Sequence, residues 1–492
     1  MAFGLFKKSI SADLILRDGV IVTQDPDLPV AEAVAVKDEL ILAVGSTEEM
    51  MSFSGKETDE IDLGGAFLFP GFINSAASPV TDLFSSTSAI LNIKMSIDEV
   101  LQTLNSFVSK NPDYTAYFGF GYDESLFTPD THLTSRGLLD RVCSDKPILL
   151  LSNLGQQAWA NSLALEMAEA RAKEEAIMEP DLGEEEDPDN LPSKYPGYLK
   201  DPLPGIQVFT RDEEGWPTGI LIGTEPIFIV ASATDLFDAD QFYQKAMEES
   251  YQSALKGYTS LIDVGAPDFL HTFYMDLLQE TLQEYQLKQR YFGCLLNNKG
   301  LNAALIVRHL MRKNTLCMEC GDLISVNCLR LVVESRGWES SITEESLKAL
   351  CLEAGDRGFD VHIEAYGTVA ITNSIKAFSA ARNSGYKKNR FILTADETIA
   401  DTELLAILRD TDAILDVIPG DNPQDWLDYM TTNASYRIRM EDKLGSIQKG
   451  KYADFTILAT DPLKTGTPCK KNPFEDAPIV MTILEGRIVY QK

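Results

Sequence analysis

The sequence predicts an α/β protein built on a (β/α)8 TIM-like barrel, and three observations carry that expectation. From about residue 96, helix-compatible stretches alternate with short apolar runs of strand character, the pattern of repeated βα units. Both chain ends lack this alternation and read as β structure with tight turns. Between the first end and the alternating region, the apolar run Ala66-Phe67-Leu68-Phe69 is broken by Pro70-Gly71 and resumes at Phe72-Ile73. That reads as a buried strand entered through a tight bend. At 492 residues the chain is long enough for a large barrel and a satellite domain with its own core.

In chain order, residues 12 to 69 read as a β-meander forming a small sandwich. Asp13 to Leu16 and Val20 to Thr23 flank Asp18-Gly19, a strong two-residue hairpin signal. A second pair, Ala33 to Val36 and Ile41 to Val44, flanks Lys37-Asp38-Glu39. The helical stretches that follow include Ser96 to Lys110, Thr134 to Cys143, Ala160 to Ala176 and Asp238 to Lys256. The strands among them are Tyr117 to Phe120, Ile148 to Ser152, Ser260 to Val264, Tyr291 to Leu296, Leu329 to Val333, Asp360 to Glu364, Arg390 to Thr394 and Ala413 to Val417. With the opening strand these make eight or nine βα units. An open doubly wound sheet fits the same alternation, but no Gly-x-Gly-x-x-Gly or Walker A run follows any strand, which removes the usual nucleotide site. Residues 177 to 205 interrupt the pattern with Glu184-Glu185-Glu186-Asp187 and a run of prolines, and read as a surface loop or lid. A hairpin follows, with Gln207 to Thr210 and Thr218 to Ile222 on either side of Asp212 to Gly215. The tail returns to strands, at Ser446 to Leu458 and at Val480 to Val489.

A formal net charge of -32 works against phosphate backbones and anionic lipid, so neither nucleic acid nor a membrane is an expected partner. There is no run of about 18 apolar residues to span a bilayer. The opening Met-Ala-Phe-Gly-Leu-Phe-Lys-Lys lacks a signal-peptide apolar core, which makes the cytoplasm the expected location. Seven cysteines at irregular spacing read as reduced thiols and not as a disulfide framework. Cys317-Met318-Glu319-Cys320, with Cys328 beyond it, is half a zinc knuckle or a redox pair. With no matching second half, it reads as an ordinary helix-to-strand loop.

Several segments, in order, resemble the amidohydrolase superfamily, and most closely its amidohydrolase 3 branch of N-substituted-formamide deformylase-like proteins. They are Glu32 to Lys37, the Pro70-Gly71-Phe72-Ile73 strand, Gly121 to Leu126, Ala158 to Ser162 with Ala164-Leu165, Arg211-Asp212 with Gly215-x-Pro217-Thr218-Gly219, and Gly445 to Ile447 with Gly450 to Asp454. The resemblance implies a (β/α)8 TIM-like barrel plus a small β-sandwich built from both chain ends. The domains would be residues 1–69 and 441–492 for the sandwich and 70–440 for the barrel, with the acidic insertion at about 177–205. It also implies a hydrolase acting on non-peptide carbon–nitrogen bonds, a divalent zinc-like metal, a small amide-like ligand and a homodimer.

The chemistry-bearing positions depart from the family. Where the family has His-x-His after the first barrel strand, this chain has Ala76 and Ser78. The third histidine is matched by His362, the fourth by Leu393, and the terminal aspartate by Asp421 in Gly420-Asp421-Asn422-Pro423. Arg330 replaces a family lysine, with Glu334 and Ser335 in place of the Asp-Gly pair beyond it, and Gln156 replaces a substrate-facing histidine. Arginine stays protonated and cannot be carbamylated into a bridging ligand. Glu364 lies two residues from His362 and so shares its strand face. The candidate set is therefore His362 and Asp421 for catalysis, His362, Glu364 and Asp421 for any remaining metal, and Gln156, Glu334 and Glu364 toward substrate. His362 as base with Asp421 orienting it is the metal-free form of the chemistry. The other reading is a non-catalytic relative that keeps the pocket for binding a ligand or partner. His132, His271 and His309 read as solvated or packing residues.

Overall fold

The computed structural model describes residues 10–127, 135–153, 155–178, 197–201, 208–236, 239–266, 268–283, 286–297, 302–336, 339–396, 399, 401–464 and 471–492. Most of the acidic stretch 177–205, together with His132 and Gln207, lies outside them. The chain divides into two compact units, one of Met1–Ser78, Met247–Gly265 and Leu278–Lys492, the other of Pro79–Ala246 and Ala266–Leu277.

In the first unit the chain opens with strands β1 (Leu14–Arg17), β2 (Val20–Val22), β3 (Val30–Ala31), β4 (Ala33–Lys37), β5 (Leu40–Gly45), β6 (Asp59–Asp62), β7 (Phe67–Pro70) and β8 (Phe72–Ala77). The second turn behaves as its sequence predicts: β4 and β5 pair antiparallel with Lys37 opposite Leu40. The first does not. β1 pairs with β4 and β6, whereas β2 pairs with β3 and β7. Asp18, at φ 57°, turns a corner between two sheets instead of closing a hairpin. Leu14, Leu16 and Ile21 all pack into one core, and placing β2 in the opposite sheet sets these side chains face to face.

The second unit holds β9 (Ala89–Ile90), β10 (Tyr117–Tyr122), β11 (Ile148–Ser152), β12 (Gln157–Ala160), β13 (Phe209–Arg211) and β14 (Pro217–Ile222), in the order β13-β14-β12-β11-β10-β9. The two expected barrel strands at residues 117–120 and 148–152 therefore belong to a separate mixed sheet. The reason is local: β12 returns antiparallel on β11 and on β14, which a purely parallel barrel does not admit. Tyr122, Phe127 and Trp159 pack edge-on in its core, and the Trp159 indole donates to the Ser135 carbonyl at 2.7 Å. Asn161 accepts from the Ile148 and Ala164 amides. The Gly121–Leu126 and Ala158–Ser162 segments thus hold this sheet together.

The remaining strands lie in the first unit: β15 (Tyr258–Asp263), β16 (Arg290–Asn297), β17 (Ile324–Arg336), β18 (Glu339–Ser340), β19 (Asp360–Tyr366), β20 (Phe391–Ala395), β21 (Ile414–Leu415), β22 (Phe455–Leu458), β23 (Ile479–Leu484) and β24 (Arg487–Gln491). Strands β8, β15, β16, β17, β19, β20 and β21 run parallel side by side, with β18 folded back on β17. They form a curled parallel half-barrel. Helices Glu344–Arg357, Thr368–Asn383 and Thr402–Asp410 follow successive strands. The count of eight or nine barrel units is corrected to seven parallel strands among the described residues.

Strands β22 to β24 extend β7, β2 and β3 into one six-stranded sheet. Both chain ends thus contribute to a sandwich whose core runs from Leu14 to Ile483. Gly71 lets the chain bend from β7 of this sandwich into β8 of the half-barrel: a Cβ there would sit 2.2 Å from Thr259 Oγ1, so no larger residue fits. The fully buried Arg290 at the start of β16 reaches Asp454 at 2.8 Å and Glu485 at 3.0 Å, and stacks 4.0 Å from the Tyr452 ring. The Tyr452-Ala453-Asp454 segment therefore clamps the tail to a barrel strand.

Candidate functional site

Strand register sorts the side chains of the half-barrel. His362 of β19 lies opposite Arg330 of β17 and Ile392 of β20, while Glu364 lies opposite Val332 and Thr394. Because side chains alternate along a strand, Asp360, His362 and Glu364 share one face. Ile363 pairs with Leu393, and both are fully buried on the other face. Leu393 therefore does not stand where a ligand beside His362 would stand. Thr394 does.

A cavity of about 340 Å³ opens against that face, lined among others by Asp263, Cys294, Cys328, Asp360, His362 and Arg437. The buried His362 ring makes a 2.8 Å hydrogen bond between Nε2 and Thr394 Oγ1. The Thr394 hydroxyl donates to Asp416 Oδ2 at 3.1 Å, and Arg437 donates to Asp416 Oδ1 at 3.0 Å. Burial, with the Arg437 and Arg330 guanidinium groups nearby, holds the His362 pKa well below its ordinary value, so the imidazole is neutral. Arg437 Nε is buried with no hydrogen-bond partner.

Around this chain, Asp263 accepts from the Tyr291 hydroxyl and from the Gly265 amide at 2.9 Å. Asp360 is held by Arg439 and accepts from the Arg390 amide at 2.6 Å, although burial raises its pKa. The Cys294 and Cys328 thiols, cross-strand neighbours, are pushed up by burial, Cys328 to about 12. They are inert thiols at neutral pH. Cys317 and Cys320 are free and follow the helix Ala303–Leu316, before β17.

The predicted site residues do not assemble. Glu364 accepts from Arg330 through one carboxylate oxygen and from the Tyr366 hydroxyl through the other, so both its oxygens are engaged. Asp421 is exposed just ahead of the helix Pro423–Met430 and does not line the cavity. Glu334 is exposed toward the end of β17, its backbone bonded to Ser341. Gln156 belongs to the second unit, exposed in the turn before β12, with its carbonyl accepting from Gly223. Among the described residues no group of three His, Cys, Asp or Glu side chains is placed to hold a metal ion. The set His362, Glu364 and Asp421 is corrected accordingly, and Asp421 does not orient His362.

A divalent metal of the family's kind does not fit the donors here. Ala76 and Ser78 offer no imidazole, Leu393 points away, and the Arg330 guanidinium would repel a cation beside His362. Thr394, Asp416 and Arg437 escaped sequence reasoning. Asp263 and Asp416 carried a usable signal, as acids near the C-terminal ends of predicted strands. Arg437, in an ordinary helical segment, carried none.

The curled parallel half-barrel and its small sandwich define the class of fold, a mixed α/β fold similar to that of metal-dependent hydrolases. The model of the amidohydrolase family matches residues 59–184 and 422–490 of this chain. Among curated relatives, the putative amidohydrolase YtcJ of Bacillus subtilis is 32% identical over 155 residues, 31% of this chain and 29% of that protein. The exoenzymes regulatory protein AepA of Pectobacterium carotovorum is 25% identical over 406 residues, 77% of this chain and 79% of that one. The fold is similar to that of an uncharacterized metal-dependent hydrolase from Pyrococcus horikoshii, with a TM-score of 0.54 at 16% identity over 92% of this chain and 98% of that chain. No helix among the described residues is long and apolar enough to cross a membrane.

Proposed function

We propose that this protein binds a small amide-like molecule in the half-barrel cavity, with the metal-assisted carbon–nitrogen hydrolysis of its family altered or lost. One observation carries the reading: Arg330, directly across from His362, is ion-paired with Glu364. A fixed guanidinium occupies the neighbourhood in which a metal hydrolase collects anionic and imidazole ligands. The cavity, of about 340 Å³, is of ordinary size for a small ligand. On this reading the half-barrel is the remnant of a complete (β/α)8 barrel, the acidic protein works in the cytoplasm, and its domains divide at about residues 69 and 440.

The test is an assay of N-substituted formamides, simple amides and cyclic ureas with the purified protein, with and without added zinc or manganese. The expected result is saturable binding of at least one compound and no metal-dependent turnover. Turnover that rises with added metal would overturn the proposal.

A further inference from the structure

A chain of hydrogen bonds behind His362 has a fixed polarity. Asp416, ion-paired with Arg437 at 3.0 Å, offers only acceptors, and Tyr429 also reaches its carboxylate. Thr394 has one hydroxyl proton and spends it on Asp416 at 3.1 Å. Its oxygen must therefore accept at the 2.8 Å contact with His362 Nε2. The proton on the imidazole is then on Nε2, and Nδ1 keeps its lone pair. His362 lines the cavity, and among the described residues Nδ1 makes no hydrogen bond.

We propose that Thr394 and Asp416 are positioning residues that lock His362 as its Nε2–H tautomer, presenting Nδ1 as a fixed hydrogen-bond acceptor to whatever occupies the cavity. A ligand therefore has to bring an N–H or O–H to that point. Arg437 also lines this wall, while its Nε is fully buried and faces no open space, so Nδ1 is the group that selects the ligand. An acceptor-only molecule of the same size is rejected because it leaves Nδ1 desolvated and unpaired. This inference rests on the reading of the cavity as a binding site; the tautomer itself does not.

The experiment uses the full chain with 15N-labelled histidine. Only four histidines are present, and the His362→Asn variant identifies the His362 signals by their loss. The expected spectrum shows a protonated Nε2 and an unprotonated Nδ1. Thr394→Ser keeps that spectrum, because the hydroxyl is retained. Thr394→Val, which removes the acceptor, shifts the population toward the other tautomer. A protonated Nδ1 in the wild type, or a Thr394→Val spectrum unchanged from wild type, overturns the relay. Formamide and N,N-dimethylformamide, which differ in the N–H donor, then probe the cavity. Formamide should move the Nδ1 signal saturably and dimethylformamide should not. The expected tautomer with no response to formamide, or with equal response to both, leaves the relay standing and overturns the cavity as a donor-selective site.

Discussion

Arg330 stands directly across from His362 on the neighbouring strand and reaches past it to Glu364, the next residue on the same face. One side chain thus does two things: it neutralises Glu364 and helps to keep His362 uncharged. This ion pair is partly buried, with side-chain exposures of 11% and 22%, so its two halves depend on one another.

Replacing Arg330 by methionine leaves Glu364 short of its cation in a half-dry site. The expected cost is about 2 kcal/mol, below the fully buried range because solvent screens part of it. The double variant Arg330→Met, Glu364→Met should recover at least half of that loss. Urea denaturation of both variants measures it, and additive losses would show that the pair is not coupled.

Arg290 and Asp454 form a fully buried pair, and without Asp454 the buried guanidinium keeps, among the described residues, only Glu485 as an ion-pair partner. Asp454→Ala should cost about 3–5 kcal/mol and lower the thermal midpoint clearly. A change close to zero in calorimetry would mean that the tail is clamped to β16 by something other than this contact.

Leu393 is buried against Ile363 on the face away from the cavity. Leu393→His should therefore cost about 2–4 kcal/mol, since a polar ring enters an apolar layer, and should add no zinc binding. Zinc uptake by this single variant, measured by equilibrium dialysis, would show that position 393 faces the site after all.

His362 gives the protein an acid sensitivity of definite sign. Its folded-state pKa lies well below the ordinary 6.5, so below that value the unfolded chain binds a proton that the folded chain refuses. Stability therefore falls as pH drops from about 6.5 toward the depressed folded value, and the group contributes no slope above about 7. The decline in thermal midpoint between about pH 7 and 5.5 should be shallower in His362→Asn than in wild type. Equal slopes would contradict a buried, uncharged imidazole.

Much of this was legible in the sequence, for identifiable reasons. The bend at Pro70-Gly71 was readable because only glycine fits against Thr259. The β4–β5 turn was readable because its strands share one sheet. Asp18-Gly19 misled because a turn signal says nothing about which sheet the next strand joins. The strands at 117 and 148 misled in the same way: their alternation with helices matches a barrel, and only the antiparallel return of β12 separates them from it. At the site, His362 was found from its motif. Its real partners, Thr394, Asp416 and Arg437, come from three later segments that only the folded chain brings together. Asp421 matched a family motif, yet it stands exposed just ahead of a helix.

The central claim, that the Arg330–Glu364 ion pair beside His362 stands in place of a bound metal ion, is tested most directly by elemental analysis. Protein purified without chelators and dialysed free of loose ions should contain far less than one equivalent of zinc, manganese, iron or nickel per chain. One tightly held equivalent that survives dialysis and is released only on unfolding would contradict it.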